Sequence, residues 1–225
     1  LPSQQSSISP NNQLSRRTSL QLWADPLRTL CSHPGYRILS TKSIPQIATR
    51  SKQYSSFMWH GLLKHLLQML IADAKIEEKI NLSITLPDVH PNYRLSALDQ
   101  SRSSHINKSI ANMLILRGQG LSEVTYEAIE KFRHPLAYAP WVPRRDRLLF
   151  ATQDKIFNKF DKSAVLLSNS QSIVVPLDRT LQKASEMLFS KAYVHQYEKY
   201  GIGTEEFRTH FSRMEQVLYN YKNLG

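Results

Sequence analysis

Ile106-Asn-Lys-Ser-Ile-Ala-Asn-Met-Leu-Ile-Leu-Arg117 decides the fold class. Polar and apolar residues alternate at first, and Met113–Leu116 then run without a polar break. That pattern predicts a central strand buried on both faces. Gly118 and Gly120 end it. Three further strands are expected around it. Tyr36–Ser40 alternates and is followed by Pro45, with Ile44–Ser56 as a connecting loop. Arg147–Thr152 is rich in apolar residues, and Ser163–Leu167 is stopped by Ser168-Asn-Ser170.

The clearest helix lies upstream. Trp59, Leu62, Leu63, Leu66, Leu67, Leu70 and Ile71 recur at three-and-four spacing, which predicts a helix over Trp59–Lys75 that packs on the sheet through Leu63, Leu66 and Leu70. The polar stretch Asn81–Ser104 reads as a surface insertion. Ser122–Phe132 fits a short helix with Ser122 as N-cap, and Pro135, Pro140 and Pro143 fence a loop that carries Tyr138 and Trp141. Beyond that point the pattern is helical. Leu177, Leu181, Ala184 and Leu188 form one stripe, and Ala192–Tyr200 is a second short helix stopped by Gly201 and Gly203. Thr204 caps a last helix whose Phe207, Phe211, Met214 and Leu218 are expected to be buried against the preceding helix pair, with Glu205, Arg208, Arg213 and Glu215 outside. The expected class is α+β: a mixed sheet with packed helices, then a helical C-terminal layer. The corresponding divisions are a flexible polar segment over 1–21, an α+β domain over 22–172 and a helical region over 173–225.

Composition narrows the function. With 225 residues and 41% hydrophobic content the chain can bury a core. Lys+Arg 29 against Asp+Glu 18 leaves +11, a balance that suits nucleic acid or an acidic protein partner. The charges are scattered, with short clusters at Arg16–Arg17 and at Arg144, Arg145 and Arg147, so the acidic-partner or solvated reading is favoured over nucleic acid. Cys31 is the sole cysteine, which excludes an internal disulfide and points to a reducing compartment. No apolar run reaches the roughly 18 residues of a spanning helix, and Leu1–Gln21 has no signal-peptide centre. Because the first residue is Leu1, the chain reads as a fragment or a processed product.

Catalytic motifs are missing from the sequence. It has no phosphate-binding glycine loop, no HExxH and no G-x-S-x-G. Cys31 and His33 allow a nucleophile and base on paper, but a buried inert thiol is the simpler reading. His60 and His65 are five apart and fall on different helical faces, which disfavours a metal pair. Arg16-Arg-Thr-Ser19 has the look of a kinase site of the kind mobile tails commonly carry.

Several blocks resemble the tubulin family. Ser190-Lys-Ala-Tyr-Val-His-Gln-Tyr197, Gly201, Glu205-Glu-Phe207 and Met214–Tyr221 resemble its C-terminal helices. Lys162–Ser170 resembles the strand ending in Gly-Asn-Ser/Thr, Trp141-Val-Pro143 matches Trp-Ile/Val-Pro, and Ser109–Gly118 resembles a strand ending in Arg-Gly. Within the family the delta branch fits best, also through Leu62–Leu66 and Gln68–Leu70. The likeness runs from about Leu22 to Leu224 in one order.

The resemblance implies an intermediate domain plus C-terminal helices, without the glycine-rich nucleotide loop. By the same likeness GTP would be bound by the parent protein outside this chain, and no complete GTPase site lies within it. Partners would be other tubulin subunits and microtubule or centriole proteins. The location would be the cytoplasmic cytoskeleton, at centrioles, basal bodies and cilia, with a role in triplet microtubules. The final helix, with Glu205, Arg208, Arg213 and Glu215, would face docking partners. In tubulins the element before the first intermediate-domain strand meets the neighbouring subunit's nucleotide. Counting back from Pro34 puts Asp25 there as a base for water, with Arg28 one turn away as a possible phosphate contact. Asp25 before Pro26 also reads as a helix-start cap. The rival to the family reading is a basic α+β adaptor for RNA or acidic proteins.

Overall fold

The computed structural model describes residues 19–46, 57–72, 86 and 106–225. Strands β1 (Ser40–Ile44), β2 (Ser109–Gly118), β3 (Leu148–Gln153) and β4 (Lys162–Ser170) form one mixed sheet in the order β1-β4-β2-β3. Strand β4 is antiparallel to β1 and β2, whereas β2 and β3 run parallel. The helices are α1 (Ser19–Leu30), α2 (Trp59–Ile71), α3 (Tyr126–Glu130), α4 (Arg144–Arg147), α5 (Val174–Phe189), α6 (Val194–Glu198) and α7 (Thr204–Lys222). The class is α+β, as the pattern predicts.

Helix α2 covers one face of the sheet. Its Leu63, Leu66 and Leu70 are buried in a core shared with Ile44, Leu114, Leu116, Ala164 and Leu166. Burying each leucine fully contributes about 2 kcal/mol. Trp59 starts the helix, and its indole N–H donates to Gln119 O at 3.0 Å, which fixes the helix to the end of β2. Helix α2 ends at Ile71, and Lys75 lies outside the described residues. So does Asn81–Ser104, apart from the buried Leu86.

Burial along β2 is complete at Ile110, Asn112, Leu114 and Leu116 but partial at Met113 and Ile115. The strand is central, and its second face is only half covered. At the strand's end Gly118 has φ +121°, and a Cβ there would stand 1.9 Å from Asp161 O. Only glycine fits that approach.

The local expectations need four corrections. The first strand is Ser40–Ile44, not Tyr36–Ser40. Residues 36–38 form no ladder, and side chains take some of their backbone groups. Asn169 Nδ2 donates to Tyr36 O at 2.8 Å, and Ile38 N donates to Tyr221 Oη at 3.0 Å. Secondly, Ser168-Asn-Ser170 continues β4 rather than ending it. Its hydroxyls find partners there, Ser168 with Ser40 at 2.7 Å and Ser170 with Ser172 at 2.9 Å. Thirdly, Leu121–Glu123 is a 3-10 turn, and Thr125 is the cap of α3, its Oγ1 accepting from Ala128 N. Lastly, Gly203 rather than Thr204 stands at the N-cap of α7, and its N–H donates to the Glu206 carboxylate at 2.9 Å.

The C-terminal layer is only partly buried. Leu218 and Tyr221 are buried, while Phe207, Phe211 and Met214 are half-buried. They line a cavity of about 430 Å³ with Leu177, Leu181 and Ala184 of α5. Helix α5 carries the expected stripe, yet none of its 16 residues is fully buried. Helix α6 is shorter than expected at Val194–Glu198, and Tyr193 before it has φ 61°.

Candidate functional site

The corner between α1 and β1 is built by long-range hydrogen bonds. Leu30 closes α1 in the core at 1% exposure. Asn169 Nδ2 donates to Leu30 O and Tyr36 O, each at 2.8 Å. The remaining amide oxygen accepts from Tyr221 Oη at 2.7 Å. Burial pushes the Tyr221 phenol up to about 12, and its bond from Ile38 N opposes the rise. Three chain segments therefore meet at one amide group and one phenol.

On this corner α1 presents an exposed Arg28. Asp25 falls within the same helix, three residues earlier, and its side chain lies outside the described residues. Pro26 is interior to α1, which begins at Ser19. The helix-start arrangement expected for Asp25 and Pro26 is therefore not what forms.

Cys31 and His33 are engaged separately. Cys31 Sγ faces Arg37 O at 4.0 Å, and His33 Nδ1 accepts from Gly35 N at 3.0 Å. The His33 ring packs 5.0 Å from Tyr36 and 5.7 Å from Trp141. Trp141, whose motif the sequence shows, is 52% exposed. Among the described residues no three His, Cys, Asp or Glu side chains gather as a metal site.

Beside Trp141 a buried polar frame sets the loop between β2 and β3. Tyr138 Oη donates to Phe132 O at 2.6 Å and accepts from Asn112 Nδ2 at 2.7 Å. Complete burial drives its phenol upward, and Arg147 and Arg133 oppose the shift. The Arg147 guanidinium donates to Val142 O and Arg133 O and lies over the Tyr138 ring. Burial lowers its pKa. Glu130 holds Arg133 at 2.5 Å and Arg144 at 2.6 Å. Burial pushes the Glu130 carboxyl up, but the two guanidiniums outweigh it and the net shift is downward. Lys108 is buried, with Nζ donating to Leu136 O at 2.7 Å, and burial lowers its pKa. Glycine and proline spacing marks this loop in the sequence, but nothing local marks the frame beneath it.

The partner-surface residues expected on α7 are where the pattern puts them. Glu205, Arg208, Arg213 and Glu215 are all exposed. Arg208 pairs with Glu205 within the helix, in water, where such a pair contributes little. Glu215 lines a second cavity of about 580 Å³ between α5 and α7 with Asp178, Glu186, Tyr219 and Lys222. Lys222 Nζ meets Asp178 at 3.2 Å. The structure brings Glu215 to the α5 groove and keeps Arg28 on α1 as a separate feature.

Both features present exposed ionic groups on helices, with the Asn169–Tyr221 hydrogen bonds behind the α1 corner. Comparison with known proteins finds relatives. The chain is 42% identical over 200 residues to the tubulin delta chain of Homo sapiens and 41% identical over 203 residues to that of Mus musculus. Each match takes in 89% of this chain and 43% of the relative, so the chain spans less than half the length of the curated relatives it matches. No protein-family model matches it. Identity at this level across most of the chain makes it a relative of the tubulin delta chains, consistent with their C-terminal part.

Proposed function

We propose that this relative of the tubulin delta chains is the C-terminal part of a delta-type cytoskeletal subunit, one that works at centrioles and basal bodies in triplet microtubule assembly and cilium formation. The observation that carries the reading is the 42% identity over 89% of the chain. The parent binds GTP through residues outside this chain and joins other tubulin subunits and microtubule or centriole proteins. No described helix is long and apolar enough to cross a membrane.

In this reading the α1 corner faces the neighbouring subunit's nucleotide. Asp25 orients and partly deprotonates the attacking water, and Arg28 contacts phosphate. The α7 face, with Glu205, Arg208, Arg213 and Glu215, receives accessory partners. The first test tags the intact protein in ciliated cells. Concentration at centrioles is expected, and a diffuse signal with normal triplets after depletion would sink the assignment. The second changes Asp25→Asn in the intact protein and follows hydrolysis on the adjoining subunit. A fall in turnover of at least about tenfold is expected of a lost base, whereas unchanged turnover removes Asp25 from the chemistry.

The +11 balance keeps one rival in view, a basic α+β adaptor for RNA or acidic protein partners. RNA binding would weaken steeply with added salt, in proportion to the phosphates contacted.

A further inference from the structure

We infer that one water molecule is bound inside the protein between Ser109 and Asn112 of β2, where it fastens the root of the loop between β2 and β3 to the sheet. The site belongs to the interior of this chain and stands apart from the proposed subunit role.

An irregularity in β2 makes the site. Ser109 lies opposite Ser170, Ala111 opposite Asn169 and Asn112 opposite Ser168. Between Ser109 and Ala111 strand β2 advances two residues while β4 advances one, so Ile110 is the extra residue of a bulge. In a regular strand residues 109 and 112, three apart, would point to opposite faces. The extra residue instead puts Ser109 and Asn112 on the face that Ser168 and Ser170 share.

All four residues are out of solvent. Ser109, Asn112 and Ser168 are 0% exposed and Ser170 is 1% exposed. Their hydrogen bonds do not close. Asn112 Nδ2 donates to Tyr138 Oη at 2.7 Å, and the hydroxyls of Ser168 and Ser170 stand 3.3 Å apart. Asn112 Oδ1 and Ser109 Oγ have no partner within the protein. An amide oxygen only accepts, whereas a hydroxyl both donates and accepts. Leaving either unmatched in the core carries a desolvation penalty, which native proteins meet with ordered water. A water that donates to Asn112 Oδ1 and bonds Ser109 Oγ has two partners, and the β4 hydroxyls supply a third. Charge disfavours other small ligands. The Asn112 oxygen repels an anion, and the ammonium of the buried Lys108, next to Ser109 in sequence, repels a cation.

The position gives the water its task. Ser109 O accepts from Ala139 N at 3.0 Å, and Tyr138 Oη donates to Phe132 O at 2.6 Å while it accepts from Asn112. Ser109 and Asn112 both carry residues of the loop, and a water between them ties that attachment to β4.

Crystals of the intact protein diffracting to about 1.8 Å test the site. Density for one oxygen atom within about 3.2 Å of both Asn112 Oδ1 and Ser109 Oγ is expected. Well-defined side chains with no density between them overturn the assignment, as does a direct bond from Ser109 to Asn112. Density ringed by about six oxygens marks a metal cation and overturns it too. Ser109→Ala gives a second reading in solution by removing a single oxygen. Loss of a hydroxyl that holds the water should lower the melting midpoint by about 3 °C. Loss of an unmet hydroxyl removes a penalty instead, so an unchanged or raised midpoint overturns the water's bond to Ser109. Neither measurement bears on the subunit reading, which localisation in ciliated cells tests.

Discussion

Tyr221 Oη donates to Asn169 Oδ1 across 2.7 Å, and this bond latches the last turn of α7 to the end of β4. The same phenol accepts from Ile38 N. Tyr221→Phe leaves a buried amide oxygen and a backbone N–H without partners, at a cost of about 2 kcal/mol. For a chain of this size the melting temperature should fall by about 6 °C. A thermal melt followed by circular dichroism checks it, and an unshifted midpoint would show that the latch carries no stability.

Glu130 sets an acid limit. Its carboxyl ionises below the ordinary value because Arg144 and Arg133 outweigh the burial that opposes them. A carboxylate depressed in the folded state contributes stability above its unfolded pKa and loses it as pH falls through the folded one. Stability should therefore be steady down to the ordinary carboxylate range near pH 4.5 and decline below it. Glu130→Gln should flatten that decline in urea titrations taken at successive pH values. An equally steep decline in the variant would remove Glu130 as the cause.

Lys108 acts in the opposite direction. Burial lowers its pKa, so the unfolded chain binds more protons than the folded one just below pH 10.5. Stability from this group rises with pH there, since the buried ammonium is discharged. Lys108→Met deletes the buried charge and should match or exceed wild-type stability at neutral pH. The difference between the two proteins should shrink as pH approaches about 10. A methionine variant markedly less stable at neutral pH would mean that the bond to Leu136 O outweighs the desolvation.

Gly118 tolerates no side chain. A methyl group there would overlap Asp161 O, which also accepts from Gln119 N at 2.8 Å. Gly118→Ala should cost more than about 4 kcal/mol, with most of the protein lost to the insoluble fraction. Gly61→Ala is the control, because a Cβ at that position meets nothing within 4 Å. Equal soluble yield of the two would contradict the close approach.

Charge reversal of Arg208 and Arg213 together tests the α7 face. Both side chains are exposed, so folding should be unaffected to within about 0.5 kcal/mol. Loss of an accessory partner in pull-downs from ciliated cells is expected, and retention of every partner would remove the docking role.

The sheet is legible where its signals are local. Met113–Leu116 and the two glycines after it mark β2, and the three-and-four leucines mark α2, because periodicity reports which face is buried. The local pattern misplaces strand β1 because what decides its register is distant. The backbone of residues 36–38 is taken by side chains 133 and 183 positions later, and no nearby residue announces that. The burial of Phe207 and Phe211 is overstated by their spacing for a related reason. A stripe states that a face is apolar but not how much of it a neighbour covers. Of the candidate site, the exposed ionic residues of α7 follow from helical spacing, and Asp25 and Arg28 come only from family likeness. The support of Trp141 required the fold itself, since its ring partners lie in the α1–β1 link.

The strand order has a consequence for biosynthesis. Among the described residues β1 pairs with β4 alone, yet β4 is the last strand to leave the ribosome. Until β4 is made, Ser40–Ile44 has no partner strand among the described residues, and β2 has only β3 beside it. The sheet is completed in one late step, when Lys162–Ser170 inserts between two strands already made. Chains that terminate before that insertion carry open edges, which chaperones and proteases recognise, so premature stops upstream of Lys162 should be cleared rather than accumulate as partial chains.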